Sequence, residues 1–158
     1  MNARALLFLL PLALWACQDT LFPVAPDPPE RVTVGSPDPS SSASPQARGP
    51  YGGQLAQAGQ HYLEFVGFTP AKGSYTLYVF PWDSAMNPIF RTAASSQAKL
   101  KASTGKEFTL TPATNPDDGS LFFYAFPEPA FESQTATLQA EVTLGSTLLK
   151  ATFTHPDR

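Results

Sequence analysis

The sequence predicts an all-β protein, an antiparallel sandwich of about seven strands preceded by a leader and a proline-rich linker. Three observations predict it. Beyond Tyr51, apolar and polar residues alternate with period two in short runs. Gly, Pro, Asn and Asp, the turn-forming residues, bound those runs. Finally, no stretch of ten or more residues carries an apolar helical stripe with capping residues at its ends.

In chain order the expected strands are Gln60 to Phe68, Ser74 to Phe80, Gln97 to Ser103, Lys106 to Thr111, Ser120 to Phe126, Thr135 to Leu144 and Thr147 to Thr154. The sixth alternates most cleanly. Ala136, Leu138, Ala140, Val142 and Leu144 point one way, and Thr135, Thr137, Gln139, Glu141 and Thr143 the other. One of its faces therefore packs on a core and the other meets water. Gly145-Ser146 joins it to the seventh strand as a tight hairpin, with Leu149, Ala151 and Phe153 inward. Asp117-Asp118-Gly119 is a turn before the fifth strand. Short strands at this spacing fit a sandwich of the immunoglobulin-like kind, without the Cys-Trp-Cys hallmark of antibody domains.

Two strands are rich in aromatic residues: Tyr75, Tyr78, Phe80 and Trp82 at one place, and Phe122, Phe123, Tyr124 and Phe126 at another. Two aromatic faces cannot both line the core of one sheet. Either the fifth expected strand is central and buried on both sides, the favoured reading, or Tyr78, Phe80, Trp82, Phe122, Tyr124 and Phe126 form an interaction patch that a partner covers.

The chain before Tyr51 divides in two. Residues 1–16 have Arg4 followed by an apolar run from Ala5 to Ala16 that is too short to span a bilayer as a helix, the form of a signal peptide. Leu14-Trp15-Ala16-Cys17 resembles the lipobox of bacterial lipoproteins, in which the Cys is acylated; Trp15 is larger than the residue usual at its position. The resemblance implies a lipid-anchored envelope protein. Gln18 rather than Asp after the Cys favours the outer membrane, by the rule of enterobacterial lipoproteins. Residues 17–50 contain Asp27-Pro28-Pro29, Ser36-Pro37-Asp38-Pro39 and a serine run, too little apolar surface to offset ordering entropy. They are expected to be a disordered spacer reaching several nanometres, and no aromatic-groove ligand pattern stands out among the prolines. Residues 51–158 form the domain.

Composition limits the function classes. Ten Lys plus Arg against thirteen Asp plus Glu give a net charge of −3, and Lys99, Lys101 and Lys106 are interleaved with Ala, Leu and Thr, so no nucleic-acid partner is expected. A single Cys rules out an internal disulfide. Glycine-rich phosphate loops, Gly-x-Ser-x-Gly and His-Glu-x-x-His are all missing from the sequence. The nearest paired carboxylates, Asp117 with Asp118 and Glu128 with Glu132, lie in turns where solvation is expected. A non-enzymatic protein is the expectation, and His155, near the end of the chain, is expected to fray.

The stretch Tyr51-Gly52-Gly53 through His61-Tyr62-Leu63-Glu64, with Tyr75 to Phe80 and the closing hairpin, resembles a small periplasmic β-domain that accompanies bacterial heavy-metal efflux adaptors. The resemblance implies a metal-related role, with His61 and Glu64 as matching ligand positions and Tyr51 where the first His stands. Strand geometry places His61 with Leu63 and Phe65 on one face and Glu64 with Tyr62 and Val66 on the other. Copper held by His61 with Met86 is the sharper form of the metal reading. The expected function is a lipid-anchored accessory or interaction protein with no cofactor and an envelope protein partner. Binding of copper or another transition metal is the alternative.

Overall fold

The computed structural model describes residues 25–32, 47–70, 73–90 and 95–156. The leader, Cys17 and most of the linker lie outside them. Among the described residues no helix is long and apolar enough to cross a membrane.

Among the described residues the fold is all-β and antiparallel, with eight strands: β1 (Gln54–Ala58), β2 (His61–Phe68), β3 (Thr76–Trp82), β4 (Ser96–Ala102), β5 (Glu107–Thr114), β6 (Leu121–Ala125), β7 (Ala136–Leu144) and β8 (Thr147–His155). A short 3₁₀ turn, Pro129–Phe131, lies between β6 and β7. Strand order is β1-β2-β3-β6-β5-β4-β7-β8. The strand missing from the sequence reading is β1, which pairs with β2 across Gly59-Gln60. Gly59, at φ +68°, takes the first turn position, as Gly145 does at φ +63° between β7 and β8.

The eight strands form two layers because β5 belongs to both. Its first half, Glu107 to Leu110, pairs with β4, and its second half, Thr111 to Thr114, pairs with β6. Between the layers lies the main core, with Leu63 and Phe65 of β2, Leu77 and Val79 of β3, and Phe123 of β6 against Leu100, Leu138, Ala140, Val142 and Phe153. The alternation expected for Ala136 to Leu144 is realised, with Ala136, Leu138, Ala140, Val142 and Leu144 all buried.

The curled sheet is closed by a side chain where backbone pairing ends. The buried Gln54 of β1 donates from Nε2 to the carbonyl of Thr154 at 2.5 Å and accepts from the Thr154 N–H at 2.8 Å. Its amide thus stands in for one residue of a neighbouring strand, joining β1 to β8. His155 completes this edge and does not fray. Fully buried, it stacks on Phe131 at 4.5 Å and lies 2.6 Å from both the Tyr75 hydroxyl (at Nε2) and the Gln134 carbonyl (at Nδ1). A carbonyl only accepts, so Nδ1 carries a proton there.

On the solvent side of β4, β7 and β8, charges pair across strands. Glu141 accepts from Lys150 at 2.8 Å and lies 3.2 Å from Lys99. Hydrogen bonds from Lys150 and then Lys99 lower its carboxyl from the ordinary 4.5 to about 2. The lysines read as a solvated face are thus on one, each with an acidic neighbour: Lys101 with Glu107, Lys106 with Glu128.

Two measurements check this account. Gln54→Ala leaves the Thr154 N–H and carbonyl without these partners and is expected to lower stability by about 1–3 kcal/mol, seen as a lower urea midpoint at unchanged slope. A carboxyl whose pKa is depressed in the folded state stabilises the fold above its unfolded pKa. The Glu141 contribution is therefore complete above about pH 4.5 and lost as pH falls toward 2. Glu141→Gln is expected to flatten that part of the stability profile, and added salt to shrink the difference.

Candidate interaction site

β3 is buried along its whole length, Thr76–Trp82, on both faces. The face turned away from the main core forms a second apolar cluster: Val66 from β2, Tyr78, Phe80 and Trp82 from β3, Ala113 from β5, and Phe122 and Tyr124 from β6. Tyr51 lies on top of it, stacked on Phe80 at 4.1 Å between ring centres and 5.8 Å from Trp82. Five of the six residues expected to form an interaction patch or a second core face, Tyr78, Phe80, Trp82, Phe122 and Tyr124, are buried with Tyr51 and residues 25–32 lying over them. The sixth, Phe126, is 58% exposed and meets the edge of Tyr124 at 5.6 Å.

The chain covers this second face with its own preceding residues. Residues 25–32, Ala-Pro-Asp-Pro-Pro-Glu-Arg-Val, which the sequence reading placed in the spacer, lie along it. The Tyr78 hydroxyl donates to the Asp27 carbonyl at 3.1 Å, and Ala25 packs on the cluster. Burial raises the Tyr78 phenol above its ordinary value. Val32 donates its N–H to the Pro50 carbonyl at 2.8 Å. Between these points the Arg31 guanidinium lies 5.5 Å from the ring centres of both Tyr51 and Trp82 and pairs with Asp118. Burial alone would raise the Asp118 carboxyl, but hydrogen bonds from Ser120 and the charge and hydrogen bond of Arg31 hold it lower than usual.

The glycine-rich motif folds around Glu64. That carboxylate is fully buried in β2, facing the aromatic cluster. Its Oε1 accepts from the N–H groups of Tyr51 at 2.8 Å and Gly53 at 3.0 Å, and its Oε2 from the Trp82 indole at 3.1 Å. The glycines permit the close approach. A Cβ on Gly49 would stand 2.3 Å from the Glu64 carboxyl carbon, and one on Gly53 would stand 2.2 Å from the Phe65 carbonyl oxygen. The arrangement is a clasp that fixes Tyr51 over Phe80 and Trp82.

Of the metal candidates, His61 is half-exposed at the start of β2, on the face of Leu63 and Phe65, whereas Glu64 is on the opposite face. Met86 packs on the aromatic cluster from the loop after β3, at φ +61°, and that loop is pinned by Asp83 accepting from the N–H groups of Ala85 and Asn87. Glu64 is turned away from His61 and engaged with the N–H groups of Tyr51, Gly53 and Trp82. Among the described residues no three His, Cys, Asp or Glu side chains are grouped to hold a metal ion. Of the carboxylates read as pairs, Asp118 is engaged with Arg31, Glu128 with Lys106, and Glu132 accepts from Thr69 at 3.1 Å.

No family model matches the chain, and no curated protein matches it significantly. Among solved structures, a DUF4426 family protein from Pseudomonas aeruginosa is similar at 20% identity and a TM-score of 0.43, over 66% of this chain and 99% of the other.

Glu64 supplies a test of the clasp. In Glu64→Gln, Oε1 still accepts two N–H groups but the amide nitrogen faces the Trp82 indole, donor against donor. A loss of about 1–3 kcal/mol is expected. Glu64→Ala removes the acceptors of three N–H groups and is expected to cost more, about 3 kcal/mol or above. Thermal melts followed by near-ultraviolet circular dichroism, which reports the Tyr51-Phe80-Trp82 stack, check both.

Proposed function

We propose that this chain is a non-catalytic, lipid-anchored accessory or interaction protein of the bacterial cell envelope, held by acylated Cys17 and favoured for the outer membrane. One observation carries the non-catalytic part. The buried carboxylate and the buried imidazole of the described domain, Glu64 and His155, are both committed to internal hydrogen bonds that shape the fold. A general acid or base needs instead to reach a proton on a substrate. The anchor rests on the lipobox-like Leu14-Trp15-Ala16-Cys17 at the end of the apolar run. Two or more acyl chains on one Cys hold a protein firmly, each buried methylene contributing about 0.8 kcal/mol.

Fractionation of cells expressing the full chain tests this reading. The protein is expected in the membrane fraction and labelled by radioactive palmitate, and Cys17→Ser is expected to lose the label and leave the membrane. Membrane retention of Cys17→Ser without label overturns the anchor. Micromolar binding of Cu(I), Cu(II) or Zn(II) that His61→Ala abolishes would replace the interaction reading with the metal reading.

A further inference from the structure

We propose that the outer aromatic face is a groove for extended proline-rich peptides, with residues 25–32 as its built-in occupant, exchangeable for an arginine-bearing proline-rich segment of an envelope protein. This deepens the interaction reading above by naming the chemistry of the partner.

The occupant shows what the groove selects. Three of its eight residues are proline, at 26, 28 and 29, and lack an N–H, so the segment does not join the sheet as a ninth strand. It is recognised through a carbonyl and a cation. The Tyr78 hydroxyl takes the Asp27 carbonyl at 3.1 Å, and the Arg31 guanidinium sits at 5.5 Å from two rings with Asp118 as its counter-charge. Docking of a pre-extended proline-rich chain against aromatic side chains, with specificity from one charged residue, is a recurrent mode of peptide recognition. Arginine suits such a place better than lysine, because its planar, weakly hydrated head stacks on rings while it pairs with a carboxylate.

The rings of the groove are held by contacts within the body, and the occupant by contacts of its side chains and ends. Tyr78 and Trp82 are fixed in β3, and Tyr51 is fixed by the Glu64 clasp and its stack on Phe80. A site so preorganised loses little entropy when a new segment enters. The occupant is partly open to solvent: Asp27, Glu30, Arg31 and Val32 are exposed, while Ala25, Pro26, Pro28 and Pro29 are half-buried. It touches the body at a few side-chain and end contacts where a strand would form a ladder.

The test uses the chain from residue 17 onward, in which Trp82 alone fluoresces, and a synthetic peptide of residues 25–32 as probe. In the unchanged chain the tethered segment competes at an effective concentration of roughly millimolar. Arg31→Glu weakens that competitor, and a saturable Trp82 shift is expected at least about tenfold lower in peptide concentration than for the unchanged chain. Replacing the arginine of the peptide by alanine is expected to weaken binding about threefold or more, and replacing its prolines by alanine likewise. Absence of a saturable shift in an Arg31→Glu chain that still melts cooperatively overturns the proposal, as does equal binding of the proline-free peptide. Should Arg31→Glu not fold, Val32→Pro, which removes the N–H donated to Pro50 together with the Val32 side chain beside Gly52, releases the segment from the other end and carries the same expectations. Peptide binding is read without reference to Cys17, so its failure and a failure of membrane anchoring are distinct results.

Discussion

A sheet whose central strands are apolar on both faces needs two covers, and this fold depends on how the second one is made. The opposite layer, β4, β7 and β8, covers the inner faces of β2, β3 and β6. No further layer exists among the described residues for the outer face, which holds Tyr78, Phe80, Trp82 and Phe122. Burying each such ring contributes about 2 kcal/mol or more, so leaving the row in water would cost a large share of a small domain's stability. The chain before β1 meets that need in two steps. Glu64 draws the turn at 49–53 down by its N–H groups, placing Tyr51 on Phe80, and Tyr51 then forms part of the seat for Arg31. A buried carboxylate that would be costly alone becomes a strut because three N–H donors converge on it.

Most of the β domain was legible because a half-buried strand writes its burial as period two. Ala136 to Leu144 and the Gly145-Ser146 hairpin are the clearest cases, and the structure has them as expected. The sequence hides β1 because Leu55 and Ala56 are only half-buried and, of its two buried ends, Gln54 is polar and Ala58 small. Gly59-Gln60 nevertheless carries the same turn signal as Gly145-Ser146. His155 was misjudged by its nearness to the terminus, although Tyr75 and Phe131 supply an aromatic seat for it that sequence separation hides.

The site was less legible, for a physical reason. Periodicity detects apolar side chains, whereas the segment over the aromatic face is held by a carbonyl, a guanidinium and one backbone N–H. Its composition reads as spacer because prolines and carboxylates offer little apolar area. The aromatic row itself was visible in Tyr78 to Trp82 and Phe122 to Phe126, and the question it raised, interior or patch, had to wait for what lay over it. Glu64 carried a usable sign. A carboxylate between Tyr62 and Val66 on one face of an apolar strand demands donors, and the glycines at 49, 52 and 53 leave backbone N–H groups free to approach. The same glycines, read as part of a metal motif, serve here as clearance for a carboxylate and a carbonyl.

Docking of residues 25–32 also resets the length of the tether. With Cys17 acylated as proposed, the free span to the body is set by the eight Cα steps from Cys17 to Ala25, which is at most about 28 Å of chain. Were the segment released, the chain from Cys17 to Ala47 would number thirty Cα steps, at most about 105 Å. On the proposed anchor, occupation of the aromatic groove and height above the membrane would be one variable. A partner's proline-rich segment that displaces residues 25–32 would do two things with one binding event: it would take the groove and lengthen the stalk behind it. The energy linking them is the difference in affinity between the two occupants, so the chain's own segment must be the weaker binder per contact for the exchange to proceed. Its hold through Tyr78, Arg31 and Val32, without a strand ladder, fits that requirement.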